Sequence, residues 1–236
     1  MVIKEIKEGF RYYINITNRC NTNCPFCCMY SSTENNLEMD FATYCQVLKR
    51  YEHIPFEVQL EGGEPLLHKK LYLFIEYAAS LSNCKKIIIV TNGLELDKHL
   101  KKLISISKWH NIKIEIKVSV NYWLLEQDKK HLEKLANYIF AIEYIEKFSI
   151  TLNVRKRKDI DASIDKEIER LKLKDYANSY YLQSYGKFKN TDYDKPVIVQ
   201  NIEKWGLIAI DGKYFAHDLI ARSEHERNLA NEEIIG

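Results

Sequence analysis

The chain has 236 residues, 46% of them hydrophobic, 29% charged and 12% aromatic. That suits one folded domain, or a domain with a small appendage. It excludes a globally disordered or low-complexity chain, which could not bury enough apolar surface to offset its ordering entropy. Lys+Arg 35 against Asp+Glu 33 leaves a net charge of +2, too balanced to argue for nucleic acid or an anionic membrane as partner.

No stretch approaches the roughly 20 uninterrupted apolar residues of a membrane helix. The first eight residues carry acids and no apolar core, so no secretory signal is expected and the expected location is the cytoplasm. In a reducing compartment the six cysteines read as metal ligands, catalytic thiols or buried small hydrophobes, not as disulfides.

In chain order, the apolar pattern switches repeatedly between period 2 and period 3.6. Arg11 to Thr17 reads as a strand. Asp40 is a candidate N-cap for a helix whose stripe is Tyr44, Val47, Leu48 and Tyr51. A strand follows over Phe56 to Leu60, then a helical stripe of Leu71, Phe74, Ile75 and Ala78. Lys86 to Thr91 is a buried-type strand ending at the turn pair Asn92-Gly93. Leu100, Leu103 and Ile104 suit a helix, and Ile112 to Val120 alternates as a strand. Leu132, Leu135, Ala136 and Ile139 form the next stripe, before a strand over Phe148 to Val154. Ile164, Ile168 and Leu171 suit a helix, and Ser179 to Gln183 a strand.

Six strands separated by five helices predict an α/β fold with a parallel sheet, a partial (β/α)6 TIM-like barrel. After residue 186 the pattern changes. Polar residues fill Lys187 to Lys195, and two apolar runs then flank Asp211-Gly212, a strong hairpin signal. The expected division is a core over residues 1–186 and a short C-terminal β-hairpin extension over 187–236.

The chemistry concentrates in Cys20-Asn21-Thr22-Asn23-Cys24-Pro25-Phe26-Cys27, spaced C-x3-C-x2-C directly after the first strand. Parallel α/β folds place chemistry at strand carboxyl ends. Residues 18–39 show neither period, and a loop that long in a compact domain is usually functional. Three clustered thiolates are soft ligands for an iron–sulfur cluster, zinc or copper(I). A closed cluster takes four Cys, so three leave one metal position open. The alternative is a zinc knuckle closed by Cys28 or a distant His. Glu61-Gly62-Gly63-Glu64-Pro65 follows the second strand. Its two Gly allow close backbone approach, and Glu64 offers a carboxylate to an ammonium.

The cysteine spacing together with Gly62-Gly63-Glu64-Pro65 resembles the radical S-adenosylmethionine (SAM) superfamily over roughly residues 11–186. The resemblance implies that Cys20, Cys24 and Cys27 hold one [4Fe–4S] cluster whose fourth iron is chelated by SAM. Phe26 would pack near the adenine, and Gly62, Gly63 and Glu64 would bind the SAM amino group. One-electron cleavage of the sulfonium would form a 5′-deoxyadenosyl radical that abstracts hydrogen from the substrate. Weaker matches follow in order. Thr91-Asn92-Gly93 ends the third strand, and Ser119 would contact the SAM carboxylate or ribose, with Asn121 where the family usually has Asp. Asn153 and Arg155 end the fifth strand, Arg155 as a partner for the SAM carboxylate. Leu182 would give backbone contacts to adenine.

Trp205 to Leu219 resembles the hairpin of SPASM or twitch appendages, in which a Cys binds an auxiliary cluster. Here no Cys follows Cys84, and His217 stands at the comparable place, as a surface histidine or as a catalytic candidate for substrate contact or hydrogen transfer. Cys45 and Cys84 read as packing residues. The implied partners are a peptide or small-molecule substrate and an electron donor such as flavodoxin or ferredoxin. Two other readings stay open: an activase that installs a glycyl radical on a partner, and a non-catalytic iron–sulfur or zinc redox sensor.

Overall fold

The computed structural model describes residues 7–188 and 202–235. The first six residues and the polar stretch from 189 lie outside them. Seven strands are β1 (Lys7–Thr17), β2 (Phe56–Gly62), β3 (Cys84–Thr91), β4 (Lys113–Asn121), β5 (Phe148–Lys156), β6 (Ala177–Tyr181) and β7 (Ile202–Ile208). They form one sheet in the order β6-β5-β4-β3-β2-β1-β7, every neighbouring pair parallel. The sheet curls into a half-barrel, the α/β partial TIM-like barrel that the βα alternation predicts.

Helices α1 (Phe41–Lys49), α2 (Leu71–Ser80), α3 (Leu96–Trp109), α5 (His131–Ile142) and α6 (Ala162–Arg170) sit where the apolar stripes place them. Asp40 caps α1, its Oδ1 accepting from the Thr43 amide at 2.9 Å. Two helices lacked a signal, the one-turn-plus α4 (Tyr122–Gln127) and the C-terminal α7 (Leu219–Ile235).

Among the described residues the six strands of the βα alternation are joined in the sheet by a seventh from the expected hairpin. The Asp211-Gly212 turn does form, with Ala209 N donating to Lys213 O at 2.9 Å. The first arm of that hairpin, however, is β7, which pairs along β1 from Lys7 to Ile14. The tail thus extends the main sheet. The sixth strand is also two residues earlier than expected, leaving Leu182 just beyond it with its N–H donated to Lys156 O at 2.8 Å.

The two faces of the sheet differ in chemistry. Outward positions such as Ile14, Val58, Leu60, Ile87, Ile89, Ile116 and Leu152 are fully buried against the helical stripes, including Leu48, Phe74 and Ile75. Inward positions carry Arg11, Glu57, Lys86, Glu115, Lys117, Ser119, Thr151 and Asn153, as the register shows. Closed barrels fill this space with branched apolar side chains; here it is polar.

Candidate cofactor site at the strand carboxyl ends

The cysteine loop leaves β1 at Thr17 and is held by its own backbone and by its neighbours. Cys20 N donates to Ser32 O at 2.9 Å, and Met39 N donates back to Ile16 O at 2.9 Å, so the loop closes on itself. The turn between the first two thiols is organised by Thr22. Its Oγ1 accepts from Trp123 Nε1 at 2.9 Å and Gln127 Nε2 at 3.2 Å, both on α4. The Asn121 side chain caps that helix, accepting from Leu124 N at 3.0 Å, which gives a local reason for Asn at this strand end.

Cys20, Cys24 and Cys27 are partly buried and feel one another's charge. Burial pushes the Cys20 thiol up to about 12 and the Cys24 thiol up to about 11, and mutual repulsion of the thiolates adds to both. Thiols so placed lose their protons only when a cationic centre replaces them. Donors already face sulfur: the Thr22 backbone N–H toward Cys20, and Asn92 Nδ2 at 3.9 Å from Cys20 Sγ. Among the described residues no three His, Cys, Asp or Glu side chains group as the ligands of one ion would. A cluster asks for a different arrangement, one thiolate on each of three irons, and the three-thiol donor set with its sulfur-directed N–H groups fits it.

Gly62 and Gly63 are where two strand ends meet. Gly63 N donates to Thr17 O at 2.6 Å and Glu64 N to Arg19 O at 2.8 Å, so the motif grips the start of the cysteine loop. A Cβ on Gly63 would lie 2.2 Å from Arg19 O. On Gly62, at φ +140°, it would lie 2.1 Å from Asn15 Oδ1. Only glycine permits this approach.

Glu64 is 0% exposed. Its carboxylate accepts from Leu66 N (3.0 Å), Thr91 Oγ1 (2.7 Å) and Asn92 N (2.7 Å). Burial raises its pKa to about 7, while those three donors pull it down. Asn92 in turn donates to Asn21 Oδ1 at 2.6 Å. Glu64, Thr91 and Asn92 therefore tie β2, β3 and the cysteine loop together. As placed, Glu64 acts as a tether, a role sequence spacing alone did not suggest.

Other predicted residues distribute around the rim. Phe26 packs 5.5 Å from the Tyr122 ring, over which Arg157 lies at 3.6 Å. Ser119 and Asn153 are register partners on the inner face of β4 and β5, and Asn121 pairs with Arg155 one step higher. Arg155 stacks on Tyr180 at 4.8 Å. Leu182 is buried behind this row with its N–H already used. His217 is set apart from them: it is exposed, 6.3 Å from Trp205, whose register partner Arg11 lies well below the rim. Cys84 is buried and Cys45 partly so, away from the loop. Cys28 faces Tyr185, Arg222 and Glu61, and burial pushes its thiol up to about 11.

Helix α7 supplies residues that sequence reasoning missed. Arg222 pairs with Glu61 at 2.7 Å and donates to Tyr13 O at 3.3 Å. Ser223 donates to Cys28 O. Glu233 accepts from Asn18 Nδ2, Asn35 Nδ2 and Asn36 N, three points on the cysteine loop. Helix α7 thus covers the mouth on the β1–β2 side.

Comparison with known proteins assigns the chain to a family. The sequence profile of the Radical SAM superfamily matches residues 14–153. Curated relatives include a GTP 3′,8-cyclase of Staphylococcus epidermidis, 32% identical over 98 residues, covering 38% of this chain and 29% of that protein. A GTP 3′,8-cyclase of Aquifex aeolicus is 31% identical over 137 residues, covering 56% and 41%. The chain therefore spans well under half the length of these relatives. Among solved structures, Streptococcus suis SuiB bound to precursor peptide SuiA superposes with a TM-score of 0.58 at 17% identity, covering 81% of this chain and 43% of that one.

Proposed function

This chain belongs to the radical SAM superfamily of enzymes, and on that premise we propose that Cys20, Cys24 and Cys27 hold one [4Fe–4S] cluster with SAM on its open iron. The observation that carries the reading is the gripping of the three-thiol loop by Gly62-Gly63-Glu64 at adjoining strand ends. Bound there, the pair supplies one-electron cleavage of the sulfonium and a 5′-deoxyadenosyl radical that abstracts hydrogen from substrate.

The protein's own residues bind, orient and exclude water. Phe26, set by Tyr122, takes the adenine. The backbone at Gly62 and Gly63 meets the SAM amine, with Glu64 holding that backbone and Asn92 in place. Ser119, Asn153 and Arg155 line the rim for the ribose and carboxylate, and the backbone near Leu182 closes the adenine side. The substrate is a peptide or small metabolite, supported by the polar inner face. An electron donor such as flavodoxin or ferredoxin feeds the cluster from solution. Among the described residues no helix is long and apolar enough to cross a membrane.

The Cys24→Ala substitution tests the assignment. The variant should keep its circular dichroism spectrum and lose the brown chromophore and SAM cleavage. A variant that keeps full colour and cleavage would remove Cys24 from the ligand set.

A further inference from the structure

The inner face of the sheet can be audited charge by charge. Glu57 pairs with Arg11. Glu115 pairs with Lys86 and accepts from Thr151 Oγ1 at 2.8 Å. Glu61 pairs with Arg222 and accepts from Gln59 Nε2 at 2.7 Å. Each of these three carboxylates has a cation of its own. Lys117, on β4 between Glu115 and Ser119, stands outside these three pairs. Among the described residues no carboxylate oxygen lies within the 4.0 Å of an ion pair from its Nζ. Its one hydrogen bond goes to the neutral Gln59 Oε1, at a long 3.4 Å.

A partly buried ammonium without a counter-ion costs stability. Burial pulls the Lys117 pKa below the usual lysine value, against the more distant fields of Glu115 and Glu61 and alongside those of Arg11 and Lys86. The position is also reachable. Lys117, Ser119, Thr151 and Asn153 keep partial exposure, and Asn178 and Tyr180 on the neighbouring edge are exposed. All face the same side of the sheet.

We propose that Lys117 is a substrate-binding residue that receives an oxyanion, the carboxylate or phosphate of the molecule on which the radical acts. The inference rests on the radical SAM reading and adds the chemical class of the substrate: an anionic molecule that enters along the β4–β6 side with its charged end lowest in the cup. Gln59 Oε1 is a weak placeholder that the ligand oxygens displace.

The test compares the wild-type holoprotein with Lys117→Met and Lys117→Arg, using inorganic phosphate and acetate as separate probes at constant ionic strength. Wild type and Lys117→Arg should be stabilised against heat by at least one probe. The one that acts distinguishes a phosphate from a carboxylate. In Lys117→Met the apparent affinity should fall roughly tenfold or more. Without anion, Lys117→Met should melt at or above the wild-type temperature, because an uncompensated charge has been replaced by an apolar side chain of similar length. A Lys117→Met protein that melts lower than wild type would mark the lysine as structural and overturn the proposal. So would an undiminished anion response in that variant, or no response in wild type. Failure of the underlying reading would appear elsewhere, as absence of 5′-deoxyadenosine from reduced wild-type protein and SAM.

Discussion

The two halves of the inner face solve the same problem in opposite ways. On the β1–β2 side the charges are sealed and paired. Arg11 and Glu57 are 7% exposed each, and Arg222 descends from α7 at 4% exposure to meet Glu61. On the β4–β6 side Lys117 and Arg155 have no carboxylate partner among the described residues, and the hydroxyls and amides beside them face partial solvent. Buried pairs are tolerated when each charge has its partner. Unpaired polar groups in an accessible cleft are characteristic of binding surfaces. The difference separates a wall that holds the cysteine loop from a wall that awaits a ligand.

Breaking the sealed side should have the largest effect. Arg222→Met leaves the partly buried Glu61 without its cation, and chemical denaturation should show a loss of about 2–3 kcal/mol, with weaker iron loading because Cys28 O and the loop lose a rigid neighbour. Unchanged stability would show that the pair is not buried in solution.

A smaller effect tests the same wall through pH. Burial raises the Glu226 carboxyl to about 7, opposed by the field of Arg222 and by the Ile210 N–H. A folded-state value above the unfolded one of about 4.3 means that the native protein holds the proton more tightly. That contribution is complete below about pH 4.3 and is lost as pH rises through about 7, with a slope that can total about 1–3 kcal/mol. Melting between pH 5 and pH 8 should therefore fall more steeply in wild type than in Glu226→Gln. Parallel curves would exclude Glu226 as the source.

The open side should respond least in stability and most in binding. Arg155→Gln removes a stacking contact with an exposed tyrosine, so unfolding should change by no more than about 1 kcal/mol. SAM affinity, read by equilibrium dialysis of the holoprotein, should drop. Unaltered affinity would release Arg155 from the cofactor.

Much of this was legible in the sequence for physical reasons. The βα alternation survives because outward strand residues and helical stripes must meet in one apolar layer. The cysteine spacing and Gly62-Gly63-Glu64 are visible because few other residue types could occupy those positions. Helix α7 was illegible because what it buries is polar: Arg222, Ser223 and Glu226 are at most 4% exposed, so no apolar stripe announces it. The run Trp205 to Ile208 reads as a hairpin arm, yet alternation cannot say which strand an arm will join, and it joins β1. Residues Ile112 to Val120 show the strand, while the polar phase of their alternation reads like a solvent face. It faces the cup, and alternation alone cannot tell a polar cup from solvent. The tethering of Glu64 depends on Thr91 and Asn92, nearly thirty positions away, and only the fold brings them together.

The central claim is a soft-metal centre kept one protein ligand short. The most direct measurement is anaerobic reconstitution with iron and sulfide, followed by electron paramagnetic resonance of the dithionite-reduced protein before and after SAM. The account predicts a single reduced cluster whose spectrum changes when SAM binds, with 5′-deoxyadenosine released on standing. A protein that takes up one zinc instead, or whose cluster spectrum is indifferent to SAM, would contradict it.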